Sequence, residues 1–251
     1  MIRNQVASFL EPIGLTLAAA VLASLASAAV PTQVPDTIGD NESTAIETLR
    51  AIAAAQERFR AGAHIDTNCD GVGEYGFFAE IAGTRAMRVS EGDPCVPAAG
   101  FPPDDLLLRP LLRRAFGFVR YSCVRYSGYV FQMWLPNPRA AGHVSAVRED
   151  NTGGKMAAPF PDPVNGAQMW CCYAWPVDYG HTGRHAFFVN QRGDVLEYSN
   201  RRPHPFSGFP AHPPFDNGPW FDEAYSVVGD MSSPPRIGIP NAHRTIWWPV
   251  P

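Results

Sequence analysis

The forty residues from Thr44 to Gly83 constrain the fold more than any other part of the chain. Apolar side chains in the first half recur at steps of three and four residues, the spacing of one face of an α-helix. The residues on this face are Ile46, Leu49, Ile52, Ala53, Gln56 and Phe59. Thr44 and Glu47 have the spacing of a capping box, and Gly62 suits a helix end. We therefore predict a long amphipathic helix that begins at Thr44 and ends near Gly62.

The loop after this helix has the residue pattern of a calcium-binding loop. The candidate ligands alternate along a tight turn: Asp66, Asn68, Asp70, the Val72 carbonyl and Glu74. Gly71 occupies the turn position of such loops, but Phe77 stands where a bidentate glutamate is required. The sequence thus predicts at most an incomplete, weak calcium site. The alternative is an Asx-rich turn that caps a short helix over about residues 75–82.

Further along the chain the hydrophobic period changes from helical spacing to alternation, which is typical of strands. Tyr129, Phe131, Met133 and Leu135 share one face, and Val130, Gln132 and Trp134 share the other. We predict further strands at Met169–Trp175, His185–Asn190 and Asp194–Ser199. The first face is fully apolar, so we expect the long helix to pack against it. The residues thus predict an α+β fold, with one helix on an antiparallel β-meander.

The order of these motifs resembles that of bacterial type IV pilin-like and type II secretion pseudopilin-like proteins. The likeness covers about residues 44–200 and rests on three stretches: the helix with its DTNCDGVGEYG loop, SGYVFQMWLP at 127–136, and the YAWP…GRHAFFVNQRGDV region at 173–195. The resemblance implies a pilin-like fold with a long N-terminal helix. It also implies a non-catalytic structural, surface or secretion-assembly role, through self-assembly or binding to other proteins.

Residues 1–28 resemble a targeting segment. Arg3 lies in a short polar start, the run Ile13–Leu25 is apolar, and small residues before Ala29 suit cleavage after Ala28. The apolar run is shorter than the roughly 20 residues of a membrane-spanning helix, which favours a cleaved signal peptide. The pilin resemblance raises the alternative of a retained N-terminal membrane segment, although Ala19 replaces the acidic residue that the family keeps there. Both interpretations place the folded part outside the cytoplasm, as a periplasmic, cell-surface or secreted protein.

The rest of the chain divides by composition. Residues 29–42 form a predicted linker, and 43–200 the predicted domain. The last 51 residues, 201–251, contain 11 of the 25 prolines together with many aromatic residues. Free proline-rich tails are poor in aromatic residues, so we expect this extension to pack on the domain in irregular structure. The alternative is a surface that binds a ligand or a partner.

All five cysteines lie in the predicted exported part, where disulfides persist. Cys69 and Cys95 both lie in loops near the end of the long helix and are the leading pair. Cys123 is predicted to join Cys171 or Cys172 on a neighbouring strand. Because adjacent strand residues point to opposite faces, Cys171 and Cys172 cannot share one partner. The odd number of cysteines leaves one thiol free.

A second function class rests on Cys172 or Cys171 together with His181 and His185, a set of side chains that zinc accepts. It would make the chain an exported zinc-dependent enzyme or binding protein. The chain contains none of the serine-hydrolase, phosphate-loop or HExxH motifs. We therefore predict no catalytic residue, and no cofactor other than the candidate calcium.

Composition narrows the choice of partners. The net charge is −4, and the sequence has no basic cluster of the kind that binds phosphate backbones. We therefore expect no nucleic-acid partner. A membrane partner is expected only through residues 1–28, if that segment is retained.

Overall fold

The computed structural model describes residues 38–137, 142–209 and 217–251, all within the compact unit Pro35–Pro251. The predicted signal peptide or membrane segment and most of the predicted linker lie outside the described residues. Nothing in this part of the structure tests them.

The predicted helical stripe forms one long helix, α1, which spans Ile38–Ala61. It begins before the predicted capping box, so Thr44 lies inside the helix. Asp40 in the first turn and Arg58 and Arg60 in the last turn have the charges that stabilise helix ends. One face is buried throughout, through Asn41, Ala45, Leu49, Ile52, Ala55, Gln56 and Phe59.

Most of the other regular structure is β-sheet. An antiparallel sheet of seven strands contains β3 (Val124–Tyr126), β4 (Tyr129–Pro136), β5 (Ala146–Arg148), β6 (Cys171–Pro176), β7 (Ala186–Asn190), β8 (Leu196–Tyr198) and β9 (Trp248–Pro249). Strands β1 (Val89–Glu91) and β2 (Val96–Ala98) form a separate hairpin. Two four-residue helices, α2 (Phe78–Ile81) and α3 (Pro163–Gly166), and a 3-10 helix (Arg114–Gly117) complete the described elements.

The strand order is β3-β4-β6-β7-β8-β9, with β5 also paired to β4. Strand β6 pairs with β4 from Tyr129 to Trp134, so β3 and β5 share the other edge of β4. The last described residues of the chain therefore return to the sheet and pair with β8 as β9.

The predicted fold class, α+β with a pilin-like arrangement, is wrong. The structure is mostly β, and α1 is the one long helix among the residues described. The strands that the sequence patterns missed, β1, β2, β3, β5 and β9, are two or three residues long. Such short strands show no alternation, so their segments resemble loops in the sequence.

Strand β4 is buried along its whole length and separates two cores. Tyr129, Phe131 and Met133 pack in the same core as Leu49 and Ile52 of α1. Val130 and Trp134 of the same strand pack in the second core, which confirms the predicted alternation and the predicted contact with the helix. Each face of the sheet is therefore a hydrophobic surface that needs its own cover.

The second face of the sheet is covered by the chain after β8. Phe206, Phe221, Tyr225, Met231 and Trp247 are buried against it. The Glu223 carbonyl fixes this irregular segment, because it accepts hydrogen bonds from the Trp247 indole at 3.0 Å, the Thr245 hydroxyl at 3.1 Å and the Asn241 amide.

A buried guanidinium organises the loop between α1 and β1. The Arg88 side chain lies 3.2 Å from the Glu74 carboxylate and 3.1 Å from that of Glu80, and it donates to the Tyr75 carbonyl at 2.6 Å. All three charged side chains are at most 1% exposed. Glu74 lies in the loop and Glu80 lies in α2, so Arg88 ties the loop to this helix. Removing one partner would leave an uncompensated buried charge.

Candidate functional site

The acidic loop is closed by a disulfide between Cys69 and Cys95, whose Cα atoms are 6.0 Å apart. This confirms the leading predicted pair. Cys95 directly precedes β2, so the bond ties the loop after α1 to the β1–β2 hairpin across 26 residues of sequence.

The second predicted disulfide is absent among the described cysteines. Cys123, Cys171 and Cys172 are free and buried. Cys123 directly precedes β3, and β4 lies between β3 and β6. Two strand spacings of roughly 4.8 Å each exceed the Cα separation that a disulfide spans. Cys171 and Cys172 do face opposite cores, as predicted, and burial raises the pKa of all three thiols.

The candidate calcium ligands share one exposed turn, but the carboxylates of that turn bind its own backbone. Asp66 accepts hydrogen bonds from the amides of Asp70 at 3.1 Å and Gly71 at 2.9 Å. Asp70 accepts from the Val72 amide at 2.8 Å and from the Asn68 side chain at 2.8 Å. These contacts are those of an Asx-rich turn.

Glu74, the last candidate ligand, is completely buried. One carboxylate oxygen accepts the Thr67 amide at 2.7 Å, and the other pairs with Arg88. The structure therefore brings Asp66, Asn68 and Asp70 together and directs Glu74 into the interior. The calcium site stays a prediction.

The candidate zinc ligands have separate partners. The Cys172 thiol lies in the core beneath α1. The His181 side chain is 80% exposed and lies 3.3 Å from Asp178, and His185 lies 3.1 Å from Glu42 of α1. Across residues 38–137, 142–209 and 217–251, no group of three or more Cys, His, Asp or Glu side chains is placed to hold a metal ion.

A groove of about 460 Å³ runs along the exposed side of α1. The helix contributes Thr44, Glu47, Thr48, Ala51, Ile52, Ala54 and Arg58. The opposite wall consists of Leu111, Leu112, Arg113, Phe116 and Tyr126. The Arg113 guanidinium donates to the Tyr126 hydroxyl at 2.7 Å and is thereby held at the wall.

The groove has an apolar base and charged rims. Ile52 and Phe116 are buried at the base, whereas Glu47 and Arg58 are exposed on the helix. Its lining residues include no cysteine, histidine or paired carboxylates that would act as a nucleophile or an acid–base pair. Its chemistry suits the packing of another polypeptide.

No motif in the sequence predicted this groove. Its signal is weak: Ala51 and Ala54 occupy outward positions of the helix, where charged residues are usual. The opposite wall is more than fifty residues away in sequence and carries no helical or strand period.

Comparison with known proteins gives no match to any family model, to any curated protein or to any solved structure. The resemblance to pilin-like proteins therefore has no support beyond the motifs that suggested it.

Glu149, which follows β5, is a buried carboxylic acid whose pKa is strongly shifted. One of its carboxylate oxygens accepts the amides of Ala79 at 2.8 Å and Gly154 at 2.9 Å. Burial raises the pKa of Glu149 to about 8, so its carboxyl group is mostly protonated at neutral pH. The group has no exposed surface from which to reach a substrate, and its role is to hold α2 and the 149–154 turn together.

We expect Glu149→Gln to flatten the pH dependence of stability. In the native state Glu149 keeps its proton to about pH 8, whereas in the unfolded chain it ionises near its ordinary value of 4.5. Wild-type stability should therefore fall as pH rises between these values, by up to about 1.4 kcal/mol per pH unit. Urea unfolding at several pH values from 5 to 8 measures this slope.

The glutamine variant keeps the oxygen that accepts both amides and cannot ionise. His185 and His243, whose pKa values are raised mainly by hydrogen bonds to Glu42 and Asp222, contribute equally to both proteins. The difference between the two slopes therefore belongs to Glu149. Equal slopes would show that this carboxyl group does not keep its proton in the folded state.

Proposed function

We propose that this chain is an exported, non-catalytic protein with a structural role, and that it assembles with a second copy of itself through α1. Export is supported by the targeting pattern of residues 1–28 and by the Cys69–Cys95 disulfide. The single observation that carries the assembly proposal is the pattern of charges and alanines on the exposed face of α1.

The exposed face of α1 carries four residues at steps of four, three and four: Glu47, Ala51, Ala54 and Arg58. This is the spacing of a seam that packs against another helix. In the described part of the chain neither Glu47 nor Arg58 forms an ion pair. Glu57, by contrast, is already bound to Arg60 at 3.2 Å and to the Tyr75 hydroxyl at 2.6 Å.

These four residues are arranged symmetrically about the point between Ile52 and Ala53. Two antiparallel copies of α1 related by a two-fold axis at this point would place Glu47 of each copy opposite Arg58 of the other. Ala51 of each copy would meet Ala54 of the other, and these small side chains permit close approach of the helices. A parallel pair would instead place like charges side by side, so the pattern favours the antiparallel, self-complementary contact.

The alternative function, a zinc-dependent enzyme or binder, lacks comparable support. Its ligands are engaged separately, with the Cys172 thiol buried and His185 bound to α1 through Glu42. The pilin-like family assignment remains a prediction from motifs. The assembly proposal rests on the helix face and not on that resemblance.

We expect the purified protein to show a concentration-dependent monomer–dimer equilibrium that weakens with added salt, because exposed ion pairs are screened. Glu47→Arg or Arg58→Glu makes two symmetric attractions repulsive and should raise the dissociation constant at least about tenfold. The double variant exchanges the charges and should restore association. Sedimentation equilibrium measures each dissociation constant.

Glu91→Arg is the matched control, because it makes the same charge change on the exposed hairpin strand β1 and should leave association unchanged. A wild-type protein that stays monomeric contradicts the proposal. Single variants that associate as tightly as the wild type would also contradict it. So would a double variant that associates no more tightly than the single variants.

The export part of the proposal has its own test. We expect the native protein to be found outside the cytoplasm, with a new N-terminus near Ala29, when cell fractions are analysed by N-terminal sequencing. A terminus near Leu15, or an intact start in the membrane fraction, would show that the apolar segment is retained. An intact chain in the cytoplasm would contradict export.

A further inference from the structure

Three bulky apolar side chains project into solvent from one segment, residues 101–120, which we call the arginine loop. Leu108 is 89% exposed, Phe118 70% and Phe101 69%. No other large hydrophobic side chain in the described part of the chain exceeds 56%. Exposed apolar side chains are ordinary when scattered, but a concentration in one segment marks a contact surface.

Two of these side chains emerge beside the same turn. The Leu107 carbonyl packs closely against Gly83, where a Cβ would lie 2.5 Å from its oxygen. The neighbouring Thr84 hydroxyl donates to the Gly117 carbonyl at 3.3 Å. Leu108 directly follows Leu107, and Phe118 directly follows Gly117. Both exposed side chains therefore belong to backbone that is held at the Gly83–Thr84 turn.

The third side chain is held by the same segment. The Asp105 carboxylate accepts a hydrogen bond from the Phe101 amide at 2.7 Å. The Asp105 amide donates a second hydrogen bond to the Phe101 carbonyl at 3.3 Å. The Asp105 carbonyl in turn accepts the Met87 amide at 2.9 Å. The loop is therefore fixed to the body of the protein, so its apolar tips project from a supported backbone.

The arginine loop carries four arginines against two acidic residues, a basic segment that the prediction of no phosphate-binding cluster did not take into account. Arg109, Arg113, Arg114 and Arg120 are all exposed. Within the residues that the structure describes, none of the four forms an ion pair with a carboxylate. Of the two acids, Asp105 is occupied by the backbone of the loop itself. Asp104 is exposed in the same segment. The segment that carries the apolar tips therefore has an excess of two positive charges.

We propose that the arginine loop docks on the surface of an anionic lipid bilayer. The apolar tips enter the boundary between headgroups and acyl chains, and the arginines bind lipid phosphates. The projecting shape favours this partner, because tips that protrude enter a soft surface more readily than they fill the groove of a rigid protein. Negative surface potential adds attraction for each guanidinium. This loop also forms part of the groove wall beside α1, so the two proposed contacts adjoin. The three apolar tips, Arg109 and Arg114 lie outside the lining of that groove.

Flotation of the native protein with lipid vesicles tests this proposal. We expect binding to vesicles of phosphatidylcholine mixed with phosphatidylglycerol, and much weaker binding to phosphatidylcholine alone. Leu108→Ser combined with Phe118→Ser should lower the partition coefficient at least about tenfold. Arg109→Gln combined with Arg114→Gln should lower it on anionic vesicles by a similar factor, and added salt should weaken wild-type binding.

Val228→Ser combined with Ile239→Ser is the matched control, because it removes two exposed apolar side chains, 56% and 52% exposed, outside the arginine loop. This pair should bind vesicles like the wild type.

Three results would overturn the proposal: no binding to anionic vesicles, equal binding by the wild type and the Leu108/Phe118 variant, or an equal loss in the control pair. Equal binding of all variants to both kinds of vesicle would assign membrane affinity to another part of the chain.

Discussion

The structure depends on covering both faces of one antiparallel sheet. All eight residues of β4 and all six of β6 are buried, so neither face can be left to solvent. Helix α1 covers one face and the segment after β8 covers the other. The two covers come from opposite ends of the described chain, and Arg50 of α1 even donates to the Pro251 carbonyl at 3.0 Å. The fold is thus closed by contacts between residues far apart in sequence.

Irregular segments can serve as covers only if their buried polar groups are satisfied. The buried Gln56 side chain binds both the amide and the carbonyl of Gly76, and Arg88 forms ion pairs with two buried carboxylates. The Glu223 carbonyl accepts hydrogen bonds from three donors. These ionisable and amide groups are used to hold backbone in place. This use is consistent with a protein that acts through its surfaces, where α1 and the arginine loop present charge and apolar area.

Sequence patterns predicted the parts of the structure whose signals are local. The alternation along β4 and the apolar stripe on α1 were predictable because each pattern repeats several times. The Cys69–Cys95 disulfide was predictable because both cysteines lie in loops near the end of α1. The pilin-like α+β class failed because strands such as β1 and β5 are held by their neighbours and have no period of their own. The two interpretations of residues 1–28, a cleaved signal peptide and a retained membrane segment, concern residues outside the described part of the chain.

In the candidate sites, too, local spacing was predictive and contacts between distant residues were not. The spacing of Asp66 and Asp70 predicted one turn correctly, but the direction of Glu74 is set by Arg88, which no spacing rule links to it. His185 was grouped with Cys172 by proximity in sequence, whereas its partner Glu42 lies 143 residues away. The groove beside α1 joins two segments with no shared motif, so only the folded structure reveals it.

The C-terminal segment is an integral cover of the sheet and not an appended tail. Deleting residues 217–251 removes Phe221, Tyr225 and Trp247 from the second core. Urea unfolding of this truncated chain, followed by circular dichroism, measures whether the sheet folds without this cover. Binding of a dye that recognises exposed apolar surface is measured on the same protein. We predict loss of the cooperative transition and strong dye binding before any urea is added. A cooperative transition close to that of the full chain, without dye binding, would show that the sheet does not need this cover.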